Sequence, residues 1–183
     1  MRILGINCMN HDAAMAVVEI KDGIGKILWA AHAERYSKIK NDHYLNQAIV
    51  DEAMTYGPFK KVVYYEKPWL KKTRQFYAGQ YGTALSYTEL PSWHLEHFGI
   101  KIDEYVKHHD SHAAAGYFTS PFNEATILTV DAIGEWDTVS ISTAEKVWIE
   151  RKETIKYPHS IGILYSAFTH RCGLKPAEEE YIL

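Results

Sequence analysis

The sequence predicts an α/β protein whose two halves begin alike, and two observations support this fold class. Apolar runs at Ile3–Cys8, Ala13–Ile20 and Lys26–Tyr36 are separated by polar turns, a pattern typical of two successive β-hairpins. The segment Ile3–Val18 also aligns without a gap on Ile127–Ser142, so that strand, polar turn and strand coincide. Identity between the two segments is low, and chance is the alternative explanation. A duplicated architecture predicts that each hairpin begins one lobe of a two-lobed protein.

Helical and strand-like patterns alternate between the two hairpins. Asn41-Asp42 is predicted to cap a helix over His43–Tyr56, which Gly57-Pro58 would end. Lys60–Glu66 is predicted to be a buried strand because it contains the run Val-Val-Tyr-Tyr. The polar, aromatic-rich stretch 68–95 is predicted to be a helix followed by irregular structure, and it is the candidate for shaping a ligand pocket.

The second half continues the same alternation. Tyr105–His108 is predicted to be a short strand and His112–Tyr117 to open a helix. After the second hairpin, Val147–Ile155 is predicted to extend the sheet and Pro158–Cys172 to form a helix. One domain over 1–183 would then consist of a first lobe, 1–125, and the start of a second lobe, 126–183. Because the second lobe is short, we expect a truncated fold whose exposed apolar surface favours self-association.

Composition restricts the class of partner. The formal net charge of −3 gives no electrostatic reason to expect binding to nucleic acid or to an anionic membrane. No apolar run approaches the roughly 20 residues that span a bilayer, and the N-terminus does not resemble a signal peptide. The two cysteines, Cys8 and Cys172, suggest neither a disulfide framework nor a thiolate zinc site. A cytoplasmic location is the resulting prediction.

The strongest local signal for chemistry is the sequence His108-His109-Asp110-Ser111-His112. His108 and His112 are four residues apart, so a helical backbone directs both imidazoles to one side, as metal-binding helices require. A solvated, histidine-rich helix start is the alternative. The sequence lacks the glutamate of a His-Glu-x-x-His motif, which disfavours a zinc protease.

A carboxylate follows the second apolar strand and could complete this site. Asp131 comes directly after Ile127–Val130, and ligands of α/β proteins bind beyond the carboxyl ends of strands. Two imidazoles and one carboxylate suit iron(II), manganese or zinc, whereas a turn-forming aspartate is the alternative. Gly134 and Glu135, in the turn after Asp131, are the predicted cofactor-binding residues.

The turn after the first strand contains a second candidate. His11 is placed to act as a general base, and Asp12 could orient its imidazole. If the two hairpins are equivalent, we expect His11 to face the same cleft as the cluster of His108, His112 and Asp131. A simple turn histidine followed by a turn aspartate is the alternative.

Five segments in order resemble the O-carbamoyltransferase family, whose members modify nodulation factors, cephem antibiotics and aminoglycosides such as tobramycin. These segments are Ile3–Ala14, Ala33–Asp42, His108–Ala114, Ser120–Phe122 and Leu128–Trp136. The resemblance covers the chain from its first residues to about Trp136. It implies an actin/sugar-kinase/heat-shock ATPase-like (ribonuclease H-like) fold.

The resemblance also implies a reaction and its site. In this family a YrdC-like C-terminal domain makes carbamoyl-adenylate from carbamoyl phosphate and ATP, and we expect no counterpart of that domain within residues 1–183. The N-terminal domain passes the carbamoyl group to a hydroxyl of a small-molecule acceptor. His108, His112 and Asp131 match the family's metal ligands, and the metal is usually iron. His11 matches the histidine that approaches the acceptor hydroxyl.

Three readings of function remain open from the sequence. The first is a carbamoyl-transfer part that needs a complementary C-terminal chain and is inactive alone. The second is a non-catalytic remnant or binding module of the same fold. The third, a kinase or ATPase of this fold, would not require His108, His112 and Asp131 together.

Overall fold

A five-stranded sheet and a three-stranded sheet organise the two units into which the chain divides, Met1–Val106 and Lys107–Leu183. A computed structural model describes residues 1–176 and 178–183. The mixture of strands and helices confirms the predicted α/β class. The units are defined by their internal contacts, and the predicted lobes, 1–125 and 126–183, stay a prediction. Within the described ranges, no helix is long and apolar enough to cross a membrane.

The first unit contains five strands, five helices and one short 3-10 turn. In chain order these elements are β1 Arg2–Asn7, β2 Ala14–Lys21, β3 Ile24–His32, α1 Glu34–Ser37, α2 Gln47–Met54, β4 Lys61–Tyr64, α3 Pro68–Tyr77, α4 Tyr81–Leu85, a 3-10 turn Tyr87–Glu89, α5 Pro91–Glu96 and β5 Glu104–Tyr105.

The sheet of this unit has the strand order β3-β2-β1-β4-β5. β1, β2 and β3 form the two predicted hairpins, whereas β4 and β5 join in parallel, so β2 alone runs against the other four strands. This order and these directions are those of the ribonuclease H-like fold predicted from the sequence. Alternate side chains of β1 and β2 are buried, because a strand that is covered on one face directs every second residue inward.

Helix α2 packs on the first sheet and corrects one predicted cap. The helix begins after Asn46, whose side chain accepts a hydrogen bond of 3.2 Å from the backbone N–H of Ile49. Asn41-Asp42 was the predicted cap, but Asn41 has a positive φ of 54° and lies in the loop before the helix. Asn46 is the better cap because its extended backbone lets the amide oxygen reach the third helical N–H.

The polar, aromatic-rich stretch is more helical than predicted. Its first helix, α3, begins with Pro68 at the position where a proline needs no N–H partner. α4, the 3-10 turn and α5 then follow in place of the predicted irregular structure. The ammonium of Lys72 holds this segment together by donating to the carbonyl oxygens of Thr83, Ala84 and Ser86 at 2.9, 3.2 and 2.7 Å.

The second unit is a meander of three antiparallel strands with two longer helices. Its elements are α6 His108–Phe118, β6 Glu124–Gly134, β7 Asp137–Glu145, β8 Trp148–Lys156, α7 Ile161–Arg171 and a 3-10 turn Glu180–Ile182. Both α6 and α7 contact β6 and β7. The buried positions of β7 include Thr138, Ser140, Ser142 and Ala144, whose small side chains let a helix approach the sheet closely.

The first hairpin of each unit has the same register. Leu4 pairs with Val17 in the first unit, and Leu128 pairs with Ile141 in the second, a shift of 124 positions in both strands (128 − 4 and 141 − 17). The pairing agrees with the gapless alignment of the two segments and confirms the predicted strand, turn and strand correspondence. Asp131 takes the position of Asn7 in this alignment, but Asn7 ends β1 whereas β6 continues past Asp131 to Gly134.

Candidate metal centre

Helix α6 carries two of the three predicted metal ligands on one side. The helix begins at His108, four residues earlier than predicted, and the expected strand Tyr105–His108 shortens to Glu104–Tyr105. Because helical residues four apart share a face, the Nε2 atoms of His108 and His112 lie 2.9 Å apart. His108 is buried, whereas the side chain of His112 is about half exposed, so one imidazole is anchored and the other borders solvent.

Asp131 reaches the same point from strand β6. Regular pairing of β6 with β7 stops at Val130 and resumes at Gly134, so Asp131 lies in an irregular stretch of the strand. Its Oδ1 accepts a hydrogen bond of 2.6 Å from the N–H of Ala132. Its Oδ2 lies 2.8 Å from Nε2 of His108 and 3.7 Å from Nε2 of His112. One oxygen therefore fixes the carboxylate and the other meets both imidazoles.

Two glycines let the surrounding chain pack against these ligands. A Cβ built on Gly134 would lie 2.5 Å from Cδ2 of His108 and 2.9 Å from Cδ2 of His109. A Cβ on Gly162 would lie 2.6 Å from backbone atoms of Ala132. Both positions therefore need a residue without a side chain.

The start of helix α7 also holds the backbone that carries Asp131. The hydroxyl of Ser160 donates to the backbone oxygen of Ala132 at 2.6 Å and to that of Asp131 at 3.3 Å. The same hydroxyl caps α7 by accepting the N–H of Ile163 at 3.0 Å. The irregular stretch of β6 is therefore fixed from outside its own strand.

The electrostatics of the cluster favour an ionised carboxylate at Asp131. Hydrogen bonds from His108, and next from His112, hold the pKa of Asp131 well below its usual range. Burial, and next the charge of His108, lowers the pKa of the neighbouring His109. An anionic oxygen next to nitrogen lone pairs is the donor set that binds a divalent cation.

The spacing of the three donor atoms fits a single ion. They lie within 4.8 Å of one another, with pairwise distances of 2.8, 2.9 and 3.7 Å. Ligands about 2.1 Å from one ion are roughly 3.0–3.4 Å apart at ordinary coordination angles. Without an ion, the close approach of the three atoms would depend on hydrogen bonds alone. Nε2 of His108 carries at most one proton, and that proton would have to serve the contacts with both His112 and Asp131. A cation satisfies all three atoms at once.

The predicted catalytic pair lies in the loop between β1 and β2. Nδ1 of His11 is 2.9 Å from Oδ2 of Asp12, and the imidazole is largely exposed. Asn7, at the end of β1, donates from Nδ2 to the backbone oxygen of Asp12 at 3.2 Å, which fixes the loop. The predicted contact between the two side chains is present. Whether His11 faces the same cleft as the metal cluster stays a prediction.

The two predicted cofactor-binding residues have distinct environments. Gly134 lies against the imidazoles of His108 and His109, and Glu135 is buried with a positive φ of 55°. Their role in binding a cofactor stays a prediction. The sharp turn at Glu135 leads directly into β7.

Several residues around the cluster had no individual role predicted from the sequence. His109 is buried and contacts the hydroxyl of Ser140 through Nδ1 at 3.1 Å. Arg151 donates to the carboxylates of Asp110 and Asp137. Arg151 stands in the run Glu-Arg-Lys-Glu, a pattern typical of a solvated strand, so no local signal distinguishes it.

Comparison with known proteins agrees with the family resemblance. Residues 97–183 match the family model described as "Carbamoyltransferase N-terminus". The chain is 32% identical over 210 residues to uncharacterized protein sll1178 of Synechocystis sp., covering 99% of this chain and 33% of that protein. It is 34% identical over 89 residues to uncharacterized protein MJ1058 of Methanocaldococcus jannaschii, covering 40% of this chain and 15% of that protein. Among solved structures, it is similar to the Aquifex aeolicus PPX-GPPA enzyme, with a TM-score of 0.46 and 15% identity over 99% of this chain and 59% of that one.

The matched region contains the whole candidate metal centre. Residues 97–183 match the carbamoyltransferase N-terminus model, in agreement with the resemblance predicted from the motifs. The match to sll1178 includes nearly all of this chain, but the chain spans only about a third of the length of sll1178.

Proposed function

We propose that this chain is the metal-binding part of an O-carbamoyltransferase that transfers a carbamoyl group from carbamoyl-adenylate to a hydroxyl of a small-molecule acceptor. The observation that carries the proposal is the convergence of His108, His112 and Asp131 within the region that matches the carbamoyltransferase N-terminus model. Iron is the ion that the family resemblance favours, and the two-imidazole, one-carboxylate donor set suits it.

The proposed reaction exchanges one bond to the carbamoyl carbon for another. The acceptor oxygen attacks this carbon, the bond from the carbon to the adenylate phosphate oxygen breaks, and AMP leaves with the bonding electrons. His108, His112 and Asp131 would hold a divalent ion, and the positive charge of that ion would polarise the carbamoyl carbonyl. The half-exposed imidazole of His112 keeps the solvent side of the cluster accessible to a ligand.

His11 is the proposed acceptor of the hydroxyl proton. Its Nδ1 is held by Asp12, so Nε2 is the nitrogen available to take a proton. Holding one nitrogen of the ring fixes the direction of the other, which is how a carboxylate supports a histidine base. Asp12 is therefore proposed to orient His11 and to take no proton itself.

The carbamoyl-adenylate is proposed to come from a complementary C-terminal chain, which would make it from carbamoyl phosphate and ATP. The relatives are about three times as long as this chain or longer, which leaves room for such a part. Gly134 and Glu135 are the proposed contacts of this chain to the adenylate.

A reconstitution assay tests the proposal. The chain is mixed with the part of sll1178 that it does not cover, ATP, carbamoyl phosphate radiolabelled at its carbon and a panel of sugars, aminoglycosides and simple alcohols. We expect label in at least one alcohol only when both chains are present. His11→Ala should lower the rate by about 10²- to 10⁴-fold, the usual contribution of a general base. His32→Ala, at an exposed position on β3, is the matched control.

The result also separates this function from that of a non-catalytic binding module. A reconstituted pair that makes AMP but labels no alcohol would favour the binding module. Full activity in the His11→Ala variant would remove His11 from the reaction and leave it as a loop residue.

A further inference from the structure

We propose that Arg151 is a positioning residue for the metal ligands, which fixes helix α6 against the β6–β7 hairpin by binding Asp110 and Asp137 together. The inference rests on the metal site proposed above. It adds a residue that lies outside the set of His108, His112 and Asp131.

The contacts of Arg151 connect two elements through one side chain. Its Nη1 donates to the carboxylate of Asp137 on β7, and its Nη2 donates to the carboxylate of Asp110 on α6. The side chains of Arg151 and Asp137 are only 18% and 14% exposed, so solvent screens this pair weakly. A planar guanidinium has donors in fixed directions and can therefore hold two carboxylates at a defined separation.

Each carboxylate is adjacent to part of the metal site. Asp110 lies on α6 between the two histidine ligands, His108 and His112. Asp137 pairs across the hairpin with Gly134, the residue that lies against the His108 imidazole. Arg151 therefore links the helix that carries both imidazoles to the hairpin that carries the carboxylate of Asp131.

The ligand geometry requires such a link. The imidazoles belong to a helix and the carboxylate to a strand, so a small rotation of α6 moves both imidazoles relative to Asp131 together. Metal sites need their ligands held within roughly 0.5 Å of the working geometry. The contact of His109 with Ser140 is a second tether of α6 to β7. Arg151 therefore adds a further side-chain attachment to the packing of α6 on β6 and β7.

The positioning role and a purely electrostatic role predict opposite results. Removing the positive charge of Arg151 leaves two carboxylates near the site uncompensated, which would by itself strengthen the binding of a divalent cation. Loss of position would weaken the binding, because the three donor atoms would no longer converge. The sign of the change in metal affinity therefore distinguishes the two roles.

The test is a titration of the purified chain with Co²⁺, whose visible absorption reports the ligand geometry. In Arg151→Met we expect the affinity to fall by about 10- to 100-fold, the usual effect of losing a residue that orients metal ligands, with a changed absorption band. Arg151→Lys keeps the charge but cannot hold both carboxylates in a fixed fork, so we expect only partial recovery. Arg171→Met, at an exposed position in the last turn of α7, is the matched control and should bind as the wild type does.

Each outcome has a distinct meaning. A wild-type chain that binds no Co²⁺ would contradict the proposed metal site, whereas binding by the wild type that Arg151→Met retains or strengthens would overturn only the role of Arg151. If circular dichroism shows that Arg151→Met does not fold, Arg151→Lys and Asp110→Ala decide. Wild-type affinity and spectrum in both of these variants would overturn the positioning role.

Discussion

The Oδ2 atom of Asp131 lies 2.8 Å from Nε2 of His108, although one residue belongs to a strand and the other to a helix. The contact depends on a break in the β6–β7 ladder after Val130, which turns the Asp131 carboxylate out of the regular pairing. Gly134 then allows the His108 imidazole to approach the hairpin. A strand irregularity and a missing side chain together place the ligands of the candidate metal centre.

Gly134→Ala should disturb the site without changing its ligands. The added methyl would lie 2.5 Å from Cδ2 of His108, which is buried and cannot move away freely. We expect a loss of about 1–3 kcal/mol in the free energy of unfolding, measured by urea denaturation, because overpacked sites relax only partly. Binding of Co²⁺ should also weaken.

Gly116→Ala is the matched control for that substitution. Gly116 lies on the same helix, α6, and a Cβ built there meets nothing within 4 Å. We expect alanine at this position to raise the free energy of unfolding by about 0.4–1 kcal/mol, since it restricts the unfolded chain and favours the helix. Equal effects of the two substitutions would contradict the packing that the structure shows around Gly134.

His94 should make the stability of the protein depend on pH. Its Nε2 accepts a hydrogen bond of 3.2 Å from the N–H of Leu45, which requires an unprotonated nitrogen. Burial, and next the charge of His97, lowers the pKa of His94. Because the folded pKa is lowered, the unfolded chain binds the proton more readily. The contribution of His94 is therefore present above the unfolded pKa of about 6.5 and is lost as the pH falls through the folded pKa.

His94→Gln tests this dependence because glutamine can accept the same hydrogen bond but does not titrate. We expect the free energy of unfolding to fall less between pH 7.5 and pH 5.5 in the variant than in the wild type. Urea denaturation at both pH values gives the comparison. An identical fall in the two proteins would show that protonation of His94 does not affect folding.

Ile49→Ala should reveal how much the first unit depends on helix α2. Ile49 is fully buried in the core, which also contains Leu4 of β1 and Val17 of β2. We expect a loss of about 2–5 kcal/mol, from the transfer of the side chain and the cavity that remains. Met54→Ala, on the same helix but 39% exposed, should cost much less, and equal losses would argue against the observed packing of α2.

The sequence correctly predicts the features that depend on local residue spacing and apolar runs. The spacing of His108 and His112 predicts a shared helix face, and the apolar run before Asp131 predicts a carboxylate where regular strand pairing ends. The gapless alignment predicts the equal register of the two hairpins. Side chains alternate between the two faces of a strand, so a register shift of one residue would expose the face that is buried.

The features that the sequence does not predict depend on contacts between distant segments. No local pattern indicates a role for Arg151, because its side chain donates to Asp110 and Asp137, which lie on two other elements. The predicted cap at Asn41-Asp42 was wrong because Asn46, a residue of the same capping type, lies nearer the start of the buried helical face. The start of α6 was placed too late because histidines and an aspartate have weak helical propensity, which the packing of His108 and His109 overcomes.

Metal binding by the isolated chain tests the central claim most directly. The measurement is a Co²⁺ titration with the bound metal counted by elemental analysis, on the wild type and on His108→Ala, His112→Ala and Asp131→Asn. The account predicts one ion per wild-type chain and affinities at least about 100-fold lower in each of the three variants. Removing a ligand should lower the metal affinity more than removing a residue that only orients a ligand. His170→Ala, in the last turn of α7, should bind as the wild type does. Wild-type affinity in any of the three ligand variants, or no bound ion in the wild type, would contradict the account.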